Sequence, residues 1–318
     1  MQVAIVDVLG SPYDGSTPYK RGLGGSESAV VYIAKELAKL GIDVDVYNDC
    51  TAMDARAGVY DGVHYMHYDS IPIRSNAYDV VIASRSVRPF VRNELFLHAK
   101  KRVVWLHDTF VEGDDVLESL VVNGAIDEIW TLSDWHTTYI SQCTHGHRRM
   151  MEVLKRKIWQ TRNGVNLWKE VNFQKKDPDL FVFNAAVNKG LHTLLNDVWP
   201  RVRALNNKAK LTVIGGAYPL KEEDVQHDEL RKLRLEHDNN NQVIFTGIIP
   251  QKAVAEHLAL ASYTIYPQTL PETYGISVVE SLAYGTPVIT GRFGAMEETA
   301  IEDGCYLMDY PVDSNVLY

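Results

Sequence analysis

Short β-branched runs alternate with longer stretches of helical period along nearly the whole chain, and this alternation restricts the fold more than any other feature. Val3–Val8, Val44–Tyr47, Val80–Ala83, Val103–Leu106 and Ile129–Leu132 are near-continuous apolar runs, as expected of parallel strands covered on both faces. Between the first two, Ser26–Leu40 places Ala29, Val30, Ile33, Ala34, Leu37 and Leu40 at helical spacing. Gly41 stands just beyond, where a left-handed cap belongs. The rhythm repeats in the second half. Strands are expected at Leu180–Ala186, Leu211–Ile214, Val243–Thr246, Tyr263–Tyr266 and Val288–Thr290, with helices at about 191–205, 222–237, 251–261 and 275–283. The prediction is an α/β protein of doubly wound parallel sheets. Asn166–Asp179 has little apolar period and holds Lys175, Lys176, Asp177 and Pro178, which places the domain boundary there. One Rossmann-like domain is expected over residues 1–168 and another over 178–318, in keeping with a length of 318 residues.

Charge and cysteine content remove several function classes. The formal net charge is −9, so most of the surface repels a phosphate backbone and nucleic acid is not an expected partner. Three dispersed cysteines, Cys50, Cys143 and Cys305, suit reduced thiols in the cytoplasm, and no CxxC pair marks a metal site. His64 and His67, three apart in a strand-like run, face opposite sides and do not share a metal. No signal peptide is expected ahead of Val3, and no apolar run reaches the roughly 20 residues that span a bilayer. The basic segment 145–157 reads as a solvated helix face, or as a peripheral contact with anionic lipid or an acidic acceptor. Gly22–Glu27 has the look of a dinucleotide fingerprint, but the loop from Gly10 to Gly25 is far too long for the tight turn that motif needs.

The chemistry concentrates in Pro271–Glu280, between an expected strand and an amphipathic helix. Ligands of open α/β sheets bind beyond the carboxyl ends of the strands. Glu272 is expected in that loop. Thr273, Tyr274, Gly275 and Ile276 are expected to offer backbone N–H groups at the helix start, where phosphate binds. Glu280 follows within the first turns, placed to accept from a sugar hydroxyl. A phosphate cradle between two carboxylates suits a nucleotide-sugar. An acidic first turn that merely complements the helix dipole is the competing account.

The continuation Ser281–Ile289 makes the block closely resemble the E-x7-E region of retaining glycosyltransferases of the family-4 type (glycosyltransferase group 1), which have the GT-B fold: two Rossmann-like domains facing a cleft. Weaker similarities run in the same order along nearly the whole chain. They are Gly24-Gly25-Ser26-Glu27, Trp105-Leu106-His107-Asp108, Thr131–His136, Arg162-Asn163-Gly164-Val165-Asn166, Phe183–Leu191 and Leu211–Gly216.

The resemblance implies a hexosyltransferase-like enzyme that moves a sugar from a nucleoside diphosphate-sugar to an acceptor hydroxyl on a glycan, a lipid or a protein-linked glycan. It needs no cofactor and no metal. Glu280 would bind the ribose, Glu272 the sugar, and the backbone of Thr273–Ile276 the phosphates. Lys189 would stabilise the leaving diphosphate. His107 would face donor sugar and acceptor, and Gly24 and Gly25 would admit the phosphate or acceptor. Gly190, Gly247 and Ile248 are expected near the base, and Asn163 is either a ligand or a turn residue. His107 also fits as a capping partner of Asp108. Two departures stand out. Phe183 occupies a position where many relatives carry an arginine, although Arg292 offers another cation. The chain ends at Tyr318, soon after the strand-like Cys305–Met308, so the usual C-terminal helices are expected to be missing. A degenerate relative that only binds nucleotide-sugar or glycan is the alternative.

Overall fold

The computed structural model describes residues 1–73, 78–91, 99–110, 114–143, 156–168, 170, 172–216, 225–238 and 242–309. The chain divides into two compact units, Met1–Gly164 and Val165–Tyr318.

The first unit is built on β1 (Gln2–Val6), β2 (Asp43–Asn48), β3 (Gly58–Tyr60), β4 (Val63–His67), β5 (Tyr78–Ser84), β6 (Ala99–Trp105), β7 (Glu128–Thr131) and β8 (Ile158–Gln160). Their order is β3-β4-β2-β1-β5-β6-β7-β8, and only β3 runs antiparallel to its neighbour among the described pairs. The expected apolar runs are the inner strands. Ala4, Val6, Val81, Ala83 and Val104 share a buried cluster with Leu117 and Val121 of the helix Asp114–Val122 and with Ile140 of Asp134–Cys143. The helix Gly25–Lys39 closes as foreseen. Gly41 is left-handed (φ +79°), and its turn is fastened by Gly41 N–H to Ala38 O (2.9 Å) and Ile42 N–H to Leu37 O (3.2 Å).

The second unit holds β9 (Asp177–Ala186), β10 (Lys210–Gly216), β11 (Val243–Gly247), β12 (Ala261–Tyr266), β13 (Val288–Gly291) and β14 (Cys305–Met308), all parallel, in the order β11-β10-β9-β12-β13-β14. Counted within the unit, this is the doubly wound order 3-2-1-4-5-6. The expected helix over 191–205 forms with a π-helical stretch, Leu194–Val198, in its middle. Pro200 explains the irregularity, because it has no N–H to donate and its ring crowds the preceding turn.

The stretch expected to link the units is seated on the second one. Trp168 N–H donates to the Tyr284 hydroxyl (2.7 Å), and Lys176 Nζ donates to Ala261 O (2.8 Å) and Thr286 Oγ1 (2.7 Å). Burial against these neutral acceptors lowers the Lys176 ammonium to about 8. Lack of apolar period misplaces this segment, because isolated anchors fix it rather than a periodic face.

Candidate functional site

A crevice opens in a doubly wound sheet where two neighbouring strands send their connections to opposite faces. In the second unit that place lies between β9 and β12, which pair through Phe181↔Tyr263 and Val182↔Thr264. The segment after β9 carries Lys189 and the loop after β12 carries Glu272. Strand adjacency therefore joins two residues that are 83 apart in sequence: Lys189 Nζ donates to Glu272 Oε1. The same oxygen accepts from the Tyr266 hydroxyl. Glu272 is 8% exposed, and these two donors satisfy its Oε1 away from bulk water.

Two glycines permit the close approach. Gly190, directly after Lys189, has φ +99°, and a Cβ there would lie 1.9 Å from Pro267 O. Gly275 is left-handed (φ +78°) and caps the helix Ile276–Ala283; a Cβ there would lie 2.3 Å from Met296 Cε. Thr269 Oγ1 donates to Asn188 O (2.8 Å), and Gln268 Nε2 donates to Leu270 O and Phe293 O (2.8 Å each). These bonds hold the β12 loop against its neighbours.

No side chain caps the helix Ile276–Ala283. Among the described residues, the N–H groups of Ile276 and Ser277 have no protein acceptor. The helix start keeps its partial positive charge available to an anion. Thr264 Oγ1 and Ser281 Oγ, 2.9 Å apart, pin the helix to β12. Glu280, on that helix, takes Asn184 Nδ2 at 3.5 Å, the outer limit of a hydrogen bond. Burial pushes its carboxyl up to about 7, and the Asn184 contact opposes this only weakly.

A carboxyl raised in the fold favours the protonated folded form, so its contribution is full below the ordinary value of 4.5 and is lost as pH rises through about 7. The expected outcome is that parent minus Glu280→Gln stability, from urea midpoints at pH 5 and pH 8, falls with rising pH. A difference that stays flat contradicts the buried placement of this carboxyl.

Gly247 ends β11 with φ +69°, and Ile248 is 39% exposed. Since β10 lies between β11 and β9, these two stand two strands from Lys189, roughly 10 Å across the sheet. Thr273 and Tyr274 are both buried in the loop ahead of the helix. Phe183 is fully buried in the core, so no cation occupies that position. Arg292 faces Glu297 (3.8 Å) and Asp309 (3.3 Å).

In the first unit, Gly24 caps the helix Gly25–Lys39 in an extended conformation. His107 is buried beside Trp105 (ring centroids 4.3 Å), and burial with Arg85 and His136 nearby lowers its imidazole to about 3. The Asp108 carboxylate takes Arg85 Nε at 2.8 Å. Arg85, left-handed at φ +66°, also reaches Glu27 (3.7 Å), and Glu27 accepts from Ser11 N–H (3.0 Å). Asp7, bonded to Tyr13 (3.2 Å), is raised to about 7, chiefly by burial and then by Glu27. Sequence reasoning did not single out Asp7, Arg85 or His136. Asn163 is half-buried, and its Oδ1 has no hydrogen-bond partner among the described residues.

His64 pairs with Asp45 (3.1 Å) and His67 with Asp69 (3.4 Å). Among the described residues, no three His, Cys, Asp or Glu side chains gather as a metal site, and no helix is long and apolar enough to cross a membrane. Apart from Arg156 and Lys157, the basic segment 145–157 lies outside the described residues.

Residues 166–314 match the family described as glycosyl transferases group 1. A D-inositol 3-phosphate glycosyltransferase of Acidothermus cellulolyticus is 30% identical over 129 residues, which is 41% of this chain and 26% of that protein. The chain thus matches about a quarter of that relative's length. Among solved structures, a sucrose-phosphate synthase from Thermosynechococcus elongatus superposes with a TM-score of 0.74 at 17% identity, over 100% of this chain and 88% of that one. Anabaena HepE in complex with UDP-glucose gives 0.66 at 16% identity, over 99% and 87%. The catalytic domain of starch synthase IV from Arabidopsis thaliana, bound to ADP and acarbose, gives 0.66 at 12% identity, over 97% and 88%.

Proposed function

We propose that this chain, whose residues 166–314 match the group 1 glycosyl transferases and which has the GT-B fold, transfers a sugar from a nucleoside diphosphate donor to an acceptor hydroxyl with retention of configuration. One observation carries the reading. Lys189 and Glu272 converge at the switch point of the second sheet, beside a helix start whose first two N–H groups, those of Ile276 and Ser277, have no protein acceptor among the described residues. Structures of similar fold solved with UDP-glucose and with ADP support a nucleotide-sugar donor.

In this reading the diphosphate lies against the backbone of Thr273–Ile276, Glu280 accepts from the ribose, and Glu272 accepts from the sugar. Gly247 and Ile248 border the base. The bond between anomeric carbon and phosphate oxygen breaks, and the acceptor oxygen bonds to the same face of that carbon. The departing phosphate oxygen takes the acceptor proton. Lys189 and the helix start stabilise the charge that builds on the leaving group. They supply that positive charge themselves, so transfer is proposed to continue in EDTA. His107, held as a neutral imidazole, acts in the transfer step rather than in donor binding. The acceptor is a hydroxyl on a glycan, a lipid or a protein-linked glycan. Cys50 and Cys305 are free thiols, which supports a cytoplasmic setting.

The test is a panel of UDP-, GDP- and ADP-sugars read by melting temperature and by release of nucleoside diphosphate. A donor at 100 times its Kd adds about 2.7 kcal/mol, which raises the Tm by several degrees. Glu280→Ala is expected to abolish that shift, while His107→Ala keeps it and loses turnover. The buried Phe183, where a second phosphate cation would stand, favours one competing reading, a nucleotide-sugar-binding module. A shift without turnover on any acceptor supports that module, and no shift with any donor removes the proposal.

A further inference from the structure

Glu272 presents its two oxygens unequally. Oε1 accepts from both Lys189 Nζ and the Tyr266 hydroxyl, whereas among the described residues Oε2 accepts from neither them nor any other donor. Oε2 is thus the oxygen left for a ligand. The two donors also differ in kind. Lys189 is a flexible, partly exposed side chain, with 34% of its surface open to solvent. Tyr266 ends β12 and is 3% exposed, with its ring lodged beside Phe183 (centroids 6.5 Å). Its hydroxyl has little freedom of its own. Burial and the adjacent carboxylate hold that hydroxyl well above the ordinary tyrosine range, so it stays a proton donor throughout the working pH.

The proposed reaction draws Lys189 toward the diphosphate, and an ammonium on a flexible, partly exposed stem that shares its three donors between phosphate and carboxylate fixes the carboxylate plane less firmly than a core hydroxyl does. We infer that Tyr266 is the positioning residue of this site: its hydroxyl anchors Oε1 of Glu272 so that Oε2 faces the donor sugar, and it keeps that hold when Lys189 engages the diphosphate. The inference rests on the donor-site reading above. Tyr266 touches no substrate; it acts through Glu272. A carboxylate held by one core donor is preorganised, and preorganisation raises affinity by removing ordering cost at binding.

The experiment compares calorimetric affinities for UDP and UDP-glucose, GDP and GDP-mannose, and ADP and ADP-glucose, and carries forward the pair that the parent binds best. The informative quantity is the extra affinity that the sugar confers over the free diphosphate. Tyr266→Phe keeps the ring, and 4-fluorophenylalanine at the same position also fills the space of the hydroxyl. In both, the affinity for free diphosphate is expected to stay within about twofold, and the sugar increment to fall on the order of tenfold. A merely structural role lowers both affinities together. In a Glu272→Gln background, Tyr266→Phe is expected to add nothing further, because the acceptor it orders has lost its charge. An unchanged sugar increment in both ring variants, or full additivity with Glu272→Gln, overturns the role of Tyr266 and leaves the donor reading standing. Failure of the parent to bind any of the six nucleotides overturns the donor reading and the positioning role with it.

Discussion

Lys189→Met is expected to lower kcat by about 10²–10³-fold, the usual cost of deleting one preorganised group that stabilises transition-state charge. Methionine keeps the apolar stem of lysine and removes the ammonium, its charge and its hydrogen-bond donors together. KM for the donor is expected to rise far less, since the helix start still binds the diphosphate. The same substitution strips an ionic partner from buried Glu272, although Tyr266 remains bonded to it. Lys189 is about one-third exposed, so the stability cost should fall below the roughly 3–5 kcal/mol of breaking a fully buried pair. The double variant Lys189→Met with Glu272→Gln separates the two effects. Its melting temperature should recover toward the parent while its turnover does not. Lys189→Arg should rescue only part of the rate, because a planar fork does not reproduce a point charge on a flexible stem. Parent-like kcat in Lys189→Met assigns the leaving-group charge to other groups.

How far the site was legible depends on how local its parts are. The paired glutamates sit eight positions apart in one loop-and-helix segment, and both were readable because the strand, loop and helix that carry them are consecutive. Partners supplied by strand adjacency were not readable. Asn184 reaches Glu280 across 96 positions, and Lys189 reaches Glu272 across 83. Lys189 therefore reads in sequence as a phosphate ligand, whereas the fold first gives it a carboxylate to hold. Tyr266 reads as the last core aromatic of a strand, which its ring is; only the register of β12 and the path of its loop turn the hydroxyl toward Glu272. The sheets were legible for the opposite reason. Parallel strands buried on both faces show as continuous apolar runs. The short edge strands β3 and β8, with exposed Val59 and Trp159, show no such run. The cluster of Asp7, Glu27, Arg85 and Asp108 escaped notice because its members come from separate segments of the chain, brought together by the pairing of β1 with β5 and β5 with β6.

Gly190→Ala is expected to be among the most destabilising single substitutions at this site, at about 4 kcal/mol or more. Two costs add. An alanine at φ +99° loses about 1–2 kcal/mol to left-handed backbone. Its Cβ would also fall 1.9 Å from Pro267 O and 2.8 Å from Pro267 C, backbone atoms that no rotamer change can move aside. Relief requires β9 and β12 to part at their carboxyl ends. Pro267 leads directly into Gln268, whose amide holds Leu270 O and Phe293 O, so the displacement passes into the loop that carries Glu272. Gly247→Ala provides the control: it has a similar left-handed angle (φ +69°) with nothing within 4 Å of the added carbon, and it should cost the backbone term alone. At about 2–4 °C per kcal/mol for a chain of this size class, Gly190→Ala should melt about 8–16 °C below the parent and Gly247→Ala only a few degrees below it. Equal melting temperatures for the two variants mean that the β9 and β12 loops do not meet at Gly190, and without that meeting Lys189 has no fixed path to Glu272.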